Sequence, residues 1–235
     1  GALTLTSSDS SATLSQWQAA LRAVTYRNTS DNPSTAVRTL SYVVNDGINA
    51  STAITSSINV TGVNDAPVLN GTASLVYPEN ANATAIHSDI MVDDADHTTL
   101  TSATVSITAG YASGQDVLGF VNDASTGNIT GSFNSNSGVM TLSSNGGTAS
   151  LAQWQTALRS VTYSNNSANP STAERTVTYV VNDGLVNSNA VSATITLTGA
   201  NDAPVNTLPI PSAGTEDLDQ VITGLQVTDV DAAES

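Results

Sequence analysis

Eight carboxylates recur along the chain in one order: Asp65, Glu79, Asp94 and Asp96, then Asp202, Glu216, Asp229 and Asp231. Asp94 and Asp96 alternate with a single residue between them, a spacing that lets both face one ion from a turn at a strand end. Carboxylates in this number, with amide and main-chain oxygens nearby, make a hard donor set that suits calcium, which takes six to eight oxygens. Zinc would call for His or Cys. The sequence has no Cys, and His87 and His97 have no counterparts in the second set, so both are read as ordinary surface residues. Two carboxylates about 4 Å apart repel by roughly 4 kcal/mol at an effective dielectric near 20. A divalent cation reverses that sign, so the segments carrying these acids are expected to be loose without calcium and stiff with it.

Four further residues have two readings each. Asp46 and Asp183 end the "VVNDG" segments at 43–47 and 180–184. Asn-Asp-Gly is a common turn former, yet each Asp also ends a strand from which a carboxylate could reach an ion. Asn64 and Asn201 precede an Asp and stand three residues before a Pro, as turn caps or as donors of an amide oxygen.

The acids mark the phase of a repeat. "TGVNDAPV" at 61–68 returns as "TGANDAPV" at 198–205, and at an offset of 137 residues 3–68 pair with 140–205 without a gap, 39 of the 66 pairs being identical. Glu216 aligns with Glu79 at that offset, and Asp229 and Asp231 align with Asp94 and Asp96 after a two-residue deletion. Tandem arrays give this signature. The chain is therefore divided into the later part of one repeat at 1–65, a whole repeat at 66–202 and the opening of another at 203–235. The flanks are expected to be poorly ordered or to borrow partners from neighbouring chains. "GALTLTSSDS" reads as an interior stretch rather than a signal peptide.

Within the whole repeat, "ATVSITA" (103–109), "TVTYVVND" (176–183) and "AVSATITLTG" (190–199) alternate in period two and are rich in β-branched residues, which predicts strands. "ITGSFNSNSGVMTL" (129–142) predicts a hairpin, and the spacing of short strands by turn residues predicts an antiparallel β-sandwich. One stretch breaks the pattern. Leu151, Trp154, Leu158 and Val161 fall at helical spacing, so a short helix crosses one end of the sandwich, with Trp154, like Trp17, turned into the core rather than offered to a sugar. Loops at one end of a sandwich converge, which could bring together acids distant in sequence.

Composition limits the function classes. Twenty acids face five bases, all Arg, for a net charge of −15, and 13 of the acids fall in 65–96 or 202–234. Such a chain does not bind a phosphate backbone. No apolar run is long enough to insert in a membrane. No nucleophile elbow, phosphate loop or recurring His–carboxylate constellation is present, so no enzyme activity is expected.

The ordered set of NDAP, Pro-Glu-Asn and Asp-Ala-Asp resembles cadherin-like repeats, and the "VVNDG…NDAPV" frame resembles the tandem arrays of giant bacterial surface adhesins, including the repeats-in-toxin class. The resemblance implies all-β, cadherin- or Ig-like sandwich repeats of about 137 residues with one short helix each. It implies calcium held by Asp65, Glu79, Asp94 and Asp96 at a first joint and by Asp202, Glu216, Asp229 and Asp231 at a second. It further implies a secreted or cell-surface spacer whose partners are neighbouring repeats of the same chain and other copies in a fibre. The linker is less acidic than in animal cadherins, "TED" replaces "PEN" in the following repeat, and the Leu-Asp-Arg-Glu motif has no counterpart. Fewer ions per joint are therefore expected than in animal cadherins. The competing reading is a glycan- or protein-binding module, which would need exposed aromatics; Tyr26, Tyr42, Tyr163 and Tyr179 lie within strands and are read as packing residues.

Overall fold

The computed structural model describes residues 1–208 and 214–231. The chain divides into two compact units, Gly1–Val63 and Asn64–Ser235. The first unit holds helix α1 (Leu14–Arg22) and the antiparallel pair β1 (Arg38–Tyr42) and β2 (Ile54–Ile58). Helix α1 opens on a capping box, in which the Thr13 hydroxyl accepts from the Gln16 amide and the Gln16 side chain accepts from the Thr13 amide.

The second unit runs in order through β3 (Val68–Asn70), β4 (Ala73–Pro78), β5 (Thr84–Ala85), β6 (Met91–Asp93), β7 (Ser102–Ala109), β8 (Asp116–Gly119), β9 (Ile129–Asn134) and β10 (Val139–Ser144). Helix α2 (Leu151–Arg159) follows, then β11 (Thr162–Asn165), β12 (Arg175–Asn182), β13 (Val191–Thr198), β14 (Val205–Thr207) and β15 (Gln226–Thr228). One sheet has the order β4-β13-β12-β7-β10-β9, and β5-β11-β8 form a second. This is an all-β sandwich, as the sequence predicts, with one addition: β4 runs parallel to β13, while the other pairs of the six-stranded sheet are antiparallel.

Period-two patterning explains which residues face the core. Val177, Tyr179 and Val181 of β12, Ala193, Ile195 and Leu197 of β13, and Ala103, Val105 and Ile107 of β7 are buried. Helix α2 sits where its spacing placed it. Ser150 and Gln153 make its capping box, and Trp154, Ala157 and Leu158 enter the core. The Trp154 indole donates to the Leu100 carbonyl at 3.0 Å, so the one polar atom of that ring is satisfied.

The same parity carries a charge inward. Arg175 is at the inward phase of β12 and is fully buried, with Nε 3.3 Å from Asp116 Oδ2. Asp116 also accepts from the Tyr163 hydroxyl, the Asn165 amide at 2.7 Å and the Ala112 main chain at 2.7 Å. Burial, with the Asp116 carboxylate beside it, pushes the Tyr163 hydroxyl far above its ordinary pKa, so it acts as a donor. In the first unit Arg38 donates to the Ser34 and Ala36 carbonyls, and Tyr26 is exposed.

Candidate metal centre

The strand directions set two ends to the second unit. Parallel pairing of β4 with β13 matches Ala73 to Ala193 and Pro78 to Thr198, so Glu79 emerges where β13 ends. Antiparallel pairing of β12 with β13 sends Asp183 to the opposite end. Eight strand residues at about 3.3 Å each separate the two ends by roughly 25 Å.

At the Asp183 end, Asn64, Asp65, Asp94, Asp96, His97 and Asp183 meet. The side chains of Asp94 and Asp183 are fully buried. Ligand atoms of Asp94, His97 and Asp183 all lie within 4.8 Å of one another. Asp94 Oδ1 accepts from the amides of Asp96 (3.1 Å) and His97 (2.8 Å), which closes the turn, while Asp94 Oδ2 is buried without a partner. Burial pushes the Asp94 carboxyl above its ordinary pKa, the amides of His97 and Asp96 opposing. Asp183 closes its turn with one carboxylate oxygen and meets the cluster with the other. Its Oδ1 accepts from the Leu185 (2.6 Å) and Val186 (2.8 Å) amides of the turn, and its Oδ2 accepts from Asn64 Nδ2 at 2.8 Å. Burial works to raise its pKa, but those three donors and the nearby His97 outweigh it and hold the group low. Asn64 Oδ1 is also buried and unpartnered. The Asp65 amide reaches Asp96 Oδ1 at 3.4 Å.

At the other end the same device recurs. The Asp202 amide donates to Asp231 Oδ2, and the Asp231 amide donates to Asp229 Oδ1 at 3.0 Å, as Asp96 does to Asp94. Asn201 Nδ2 bonds the Asp202 carbonyl at 2.9 Å, matching Asn64 and Asp65 at 2.8 Å. Glu79 lies here and not with Asp65, Asp94 and Asp96, where the motif order had grouped it. Its amide donates to the Thr198 carbonyl, its Oε2 accepts from the Ala200 amide at 2.8 Å, and its Oε1 is buried without a partner. Glu216 is exposed in a turn, and none of its described contacts joins it to this cluster. Asp46, in the first unit, is exposed and accepts from the Ile48 and Asn49 amides, the turn reading of its segment.

The histidines correct the sequence reading. His87 is fully buried, edge-on to Tyr179 and 2.9 Å from Asp89. Ile86 and His87 are adjacent and both buried, because β5 is only two residues long and the chain bends away from strict alternation. His97 directs Nδ1 into the first cluster, 3.3 Å from Asp96, 3.7 Å from Asp94 and 4.0 Å from Asp183. The signal for it was its position directly after Asp-Ala-Asp. Among the described residues no Arg neutralises either cluster: the Arg–carboxylate pair joins Arg175 to Asp116. At the first end the orphaned, buried Asp94 Oδ2 and Asn64 Oδ1 are what a hard cation would satisfy, and Asp94, His97 and Asp183 are the one group among the described residues whose ligand atoms gather within 4.8 Å; at the second end Glu79 Oε1 is orphaned but the acids do not gather as closely.

No family model matches the sequence. Halomucin of Haloquadratum walsbyi (strain DSM 16790 / HBSQ001) is 33% identical over 125 residues, which are 52% of this chain and 1% of that protein. Human CDH23 EC21-23 is similar at 14% identity and a TM-score of 0.32, over 82% of this chain and 54% of that one. Protocadherin Gamma B2 extracellular cadherin domains 3-6 are similar at 16% identity and a TM-score of 0.30, over 77% of this chain and 39% of that one. The chain thus spans about half or less of the solved chains named here and a small fraction of the curated relative. Among the described residues no helix is long and apolar enough to cross a membrane.

Proposed function

We propose that this chain is part of a tandem array of cadherin-like repeats that serves as a calcium-stiffened spacer in a large extracellular adhesin. The observation that carries the reading is the burial of Asp94 and Asp183, 89 positions apart in sequence, with Asp94 Oδ2 and Asn64 Oδ1 unpartnered beside them. Without a cation such a cluster is costly, since buried like charges repel and buried polar atoms lose their water. With calcium, Asp65, Asp94, Asp96, Asp183 and the Asn64 amide oxygen would hold the ion and so fix the Asn64–Pro67 segment. Glu79, Asn201, Asp202, Asp229 and Asp231 would do the same where the next repeat opens. The function would be mechanical: a set spacing and orientation between repeats, of the one-dimensional kind that tandem modules support. Its partners would be the neighbouring repeats and other copies in a fibre.

An exposed aromatic platform for glycans has less support. Among the described residues Tyr26 is the one exposed aromatic, and Trp154, Tyr77, Tyr163 and Tyr179 are fully buried. Small-angle scattering and thermal melting of the whole chain, in chelator and through about 5 mM calcium, test the proposal. That range exceeds the dissociation constants of about 10⁻⁴–10⁻³ M common in extracellular modules. The expected result is a larger maximum dimension and a higher Tm with calcium. An unchanged dimension together with an unchanged Tm refutes it.

A further inference from the structure

His97 makes the two clusters chemically different. In the alignment that pairs Asp94 with Asp229 and Asp96 with Asp231, His97 pairs with Ala232, so the imidazole belongs to the first cluster alone. We propose that the first cluster is a mixed nitrogen–oxygen site that binds a divalent first-row transition ion of the zinc type through His97 Nδ1, Asp94 and Asp183. This rests on the reading of the clusters as cation sites and adds a second class of ion to one of them.

Three observations point to it. His97 Nδ1 is buried, has no hydrogen-bond partner and lies among three carboxylates. Asp94, whose side chain is fully buried, keeps Oδ2 free while its Oδ1 is committed to the turn amides. One atom each from Asp94, His97 and Asp183 falls within 4.8 Å of the other two. Tetrahedral zinc with bonds of 2.0–2.2 Å sets its ligand atoms about 3.3–3.6 Å apart. His97 Nδ1 lies 3.7 Å from Asp94 Oδ1, the turn oxygen of the carboxylate whose Oδ2 is free, and 4.0 Å from Asp183 Oδ2, so the three groups need a closing movement of a few tenths of an ångström and a rotation of the Asp94 carboxylate. These spacings also suit calcium; the nitrogen discriminates. An imidazole is a poor ligand for calcium and a good one for zinc, whereas carboxylates serve both. Asn64 Oδ1 or Asp96 can complete the shell. The second cluster, without an imidazole, stays all-oxygen.

The test is calorimetric titration of the metal-stripped full chain with zinc chloride and, separately, calcium chloride near neutral pH. It is repeated on His97→Ala and Asp183→Asn, with melting curves to confirm folding. Cobalt chloride provides a second readout, through visible absorption and the shifted imidazole resonances of bound His97. One zinc per chain is expected to bind at least about tenfold tighter than calcium. His97→Ala should weaken zinc by at least about tenfold and leave calcium within about threefold. Asp183→Asn should weaken both. Zinc binding that is absent in the wild type, or equal in wild type and His97→Ala, overturns the proposal. Zinc binding that needs His97 while calcium has no effect leaves this proposal standing and removes the spacer reading; the reverse result does the opposite.

Discussion

Replacing Asp94 by Asn removes one negative charge and keeps the oxygen that closes the turn. Asp94 Oδ1 accepts from the Asp96 and His97 amides, and an Asn carbonyl oxygen can do the same, leaving Nδ2 where the unpartnered Oδ2 now lies. Ligand atoms of Asp94 and Asp183 lie within 4.8 Å, which at an effective dielectric of about 20 corresponds to a repulsion of about 3.5 kcal/mol or more. Relaxation and water dissipate most of it, so in chelator the variant should gain roughly 1 kcal/mol, the usual size of a single-substitution effect. For a unit this large that is a Tm higher by about 2–4 °C. Calcium inverts the order. At free calcium tenfold above the dissociation constant each site adds about 1.4 kcal/mol, so two sites raise the wild-type Tm by about 6–11 °C and the one remaining site raises the variant by about half as much. Differential scanning calorimetry in chelator and in calcium reads both. A variant that melts below wild type by the same margin in both buffers would show Asp94 to be a turn residue only, and the cation argument would fail.

Two further outcomes follow from the core. Arg175→Met leaves Asp116 buried without its cation and should cost about 3–5 kcal/mol by chemical denaturation, while the double variant Arg175→Met with Asp116→Asn, which removes the charge and keeps an oxygen to accept from Tyr163 and Asn165, should recover part of it; a double variant whose loss equals the sum of the two single losses would contradict a coupled pair. His87 is held below its ordinary value of 6.5, burial outweighing the attraction of Asp89. Its unfolded form therefore takes up a proton first, and folding stability falls as pH drops through about 6.5. The Tm difference between about pH 7.5 and pH 5.5 should shrink in His87→Leu, and an unchanged difference would place that pH dependence elsewhere.

Local features were legible in the sequence where one segment determines them. The strands follow from alternation in "TVTYVVND" and its neighbours, and helix α2 from the spacing of Trp154 and Leu158. The meeting of NDAP with Asp-Ala-Asp was an inference from loop convergence, and the fold supplies the contact through the Asp65 amide. Glu79 could not be placed this way. Which end it occupies depends on the parallel pairing of β4 with β13, a contact across about 120 residues that spacing does not encode. The buried ion pair has a signal in the sequence. Arg175 shares the parity of Val177, Tyr179 and Val181, so alternation itself points it inward, and Arg38 repeats the position. The role of Asp183 stayed open in the sequence because turn and cluster use different oxygens of one carboxylate.

Under the proposed spacer function, the two clusters would be partial views of one repeating arrangement. The first contains the acids at the head of a repeat, Asp94, Asp96 and Asp183, with the Asn64-Asp65 segment; the counterpart of Glu79 at offset 137 falls outside the 235 residues. The second contains the acid from a repeat's foot, Glu79, with Asn201-Asp202 and the head acids Asp229 and Asp231; the counterpart of Asp183 falls outside in turn. Superposed on their shared Asp–amide contacts, they would give five carboxylates and one Asn oxygen per joint. That supplies at least six oxygens, enough to saturate one calcium ion and short of the donors that several would need. A Glu that hangs from the amide after β13 and a pair of Asp that cap the following linker would then be tied by a single ion, so that stiffness at each boundary depends on both repeats contributing.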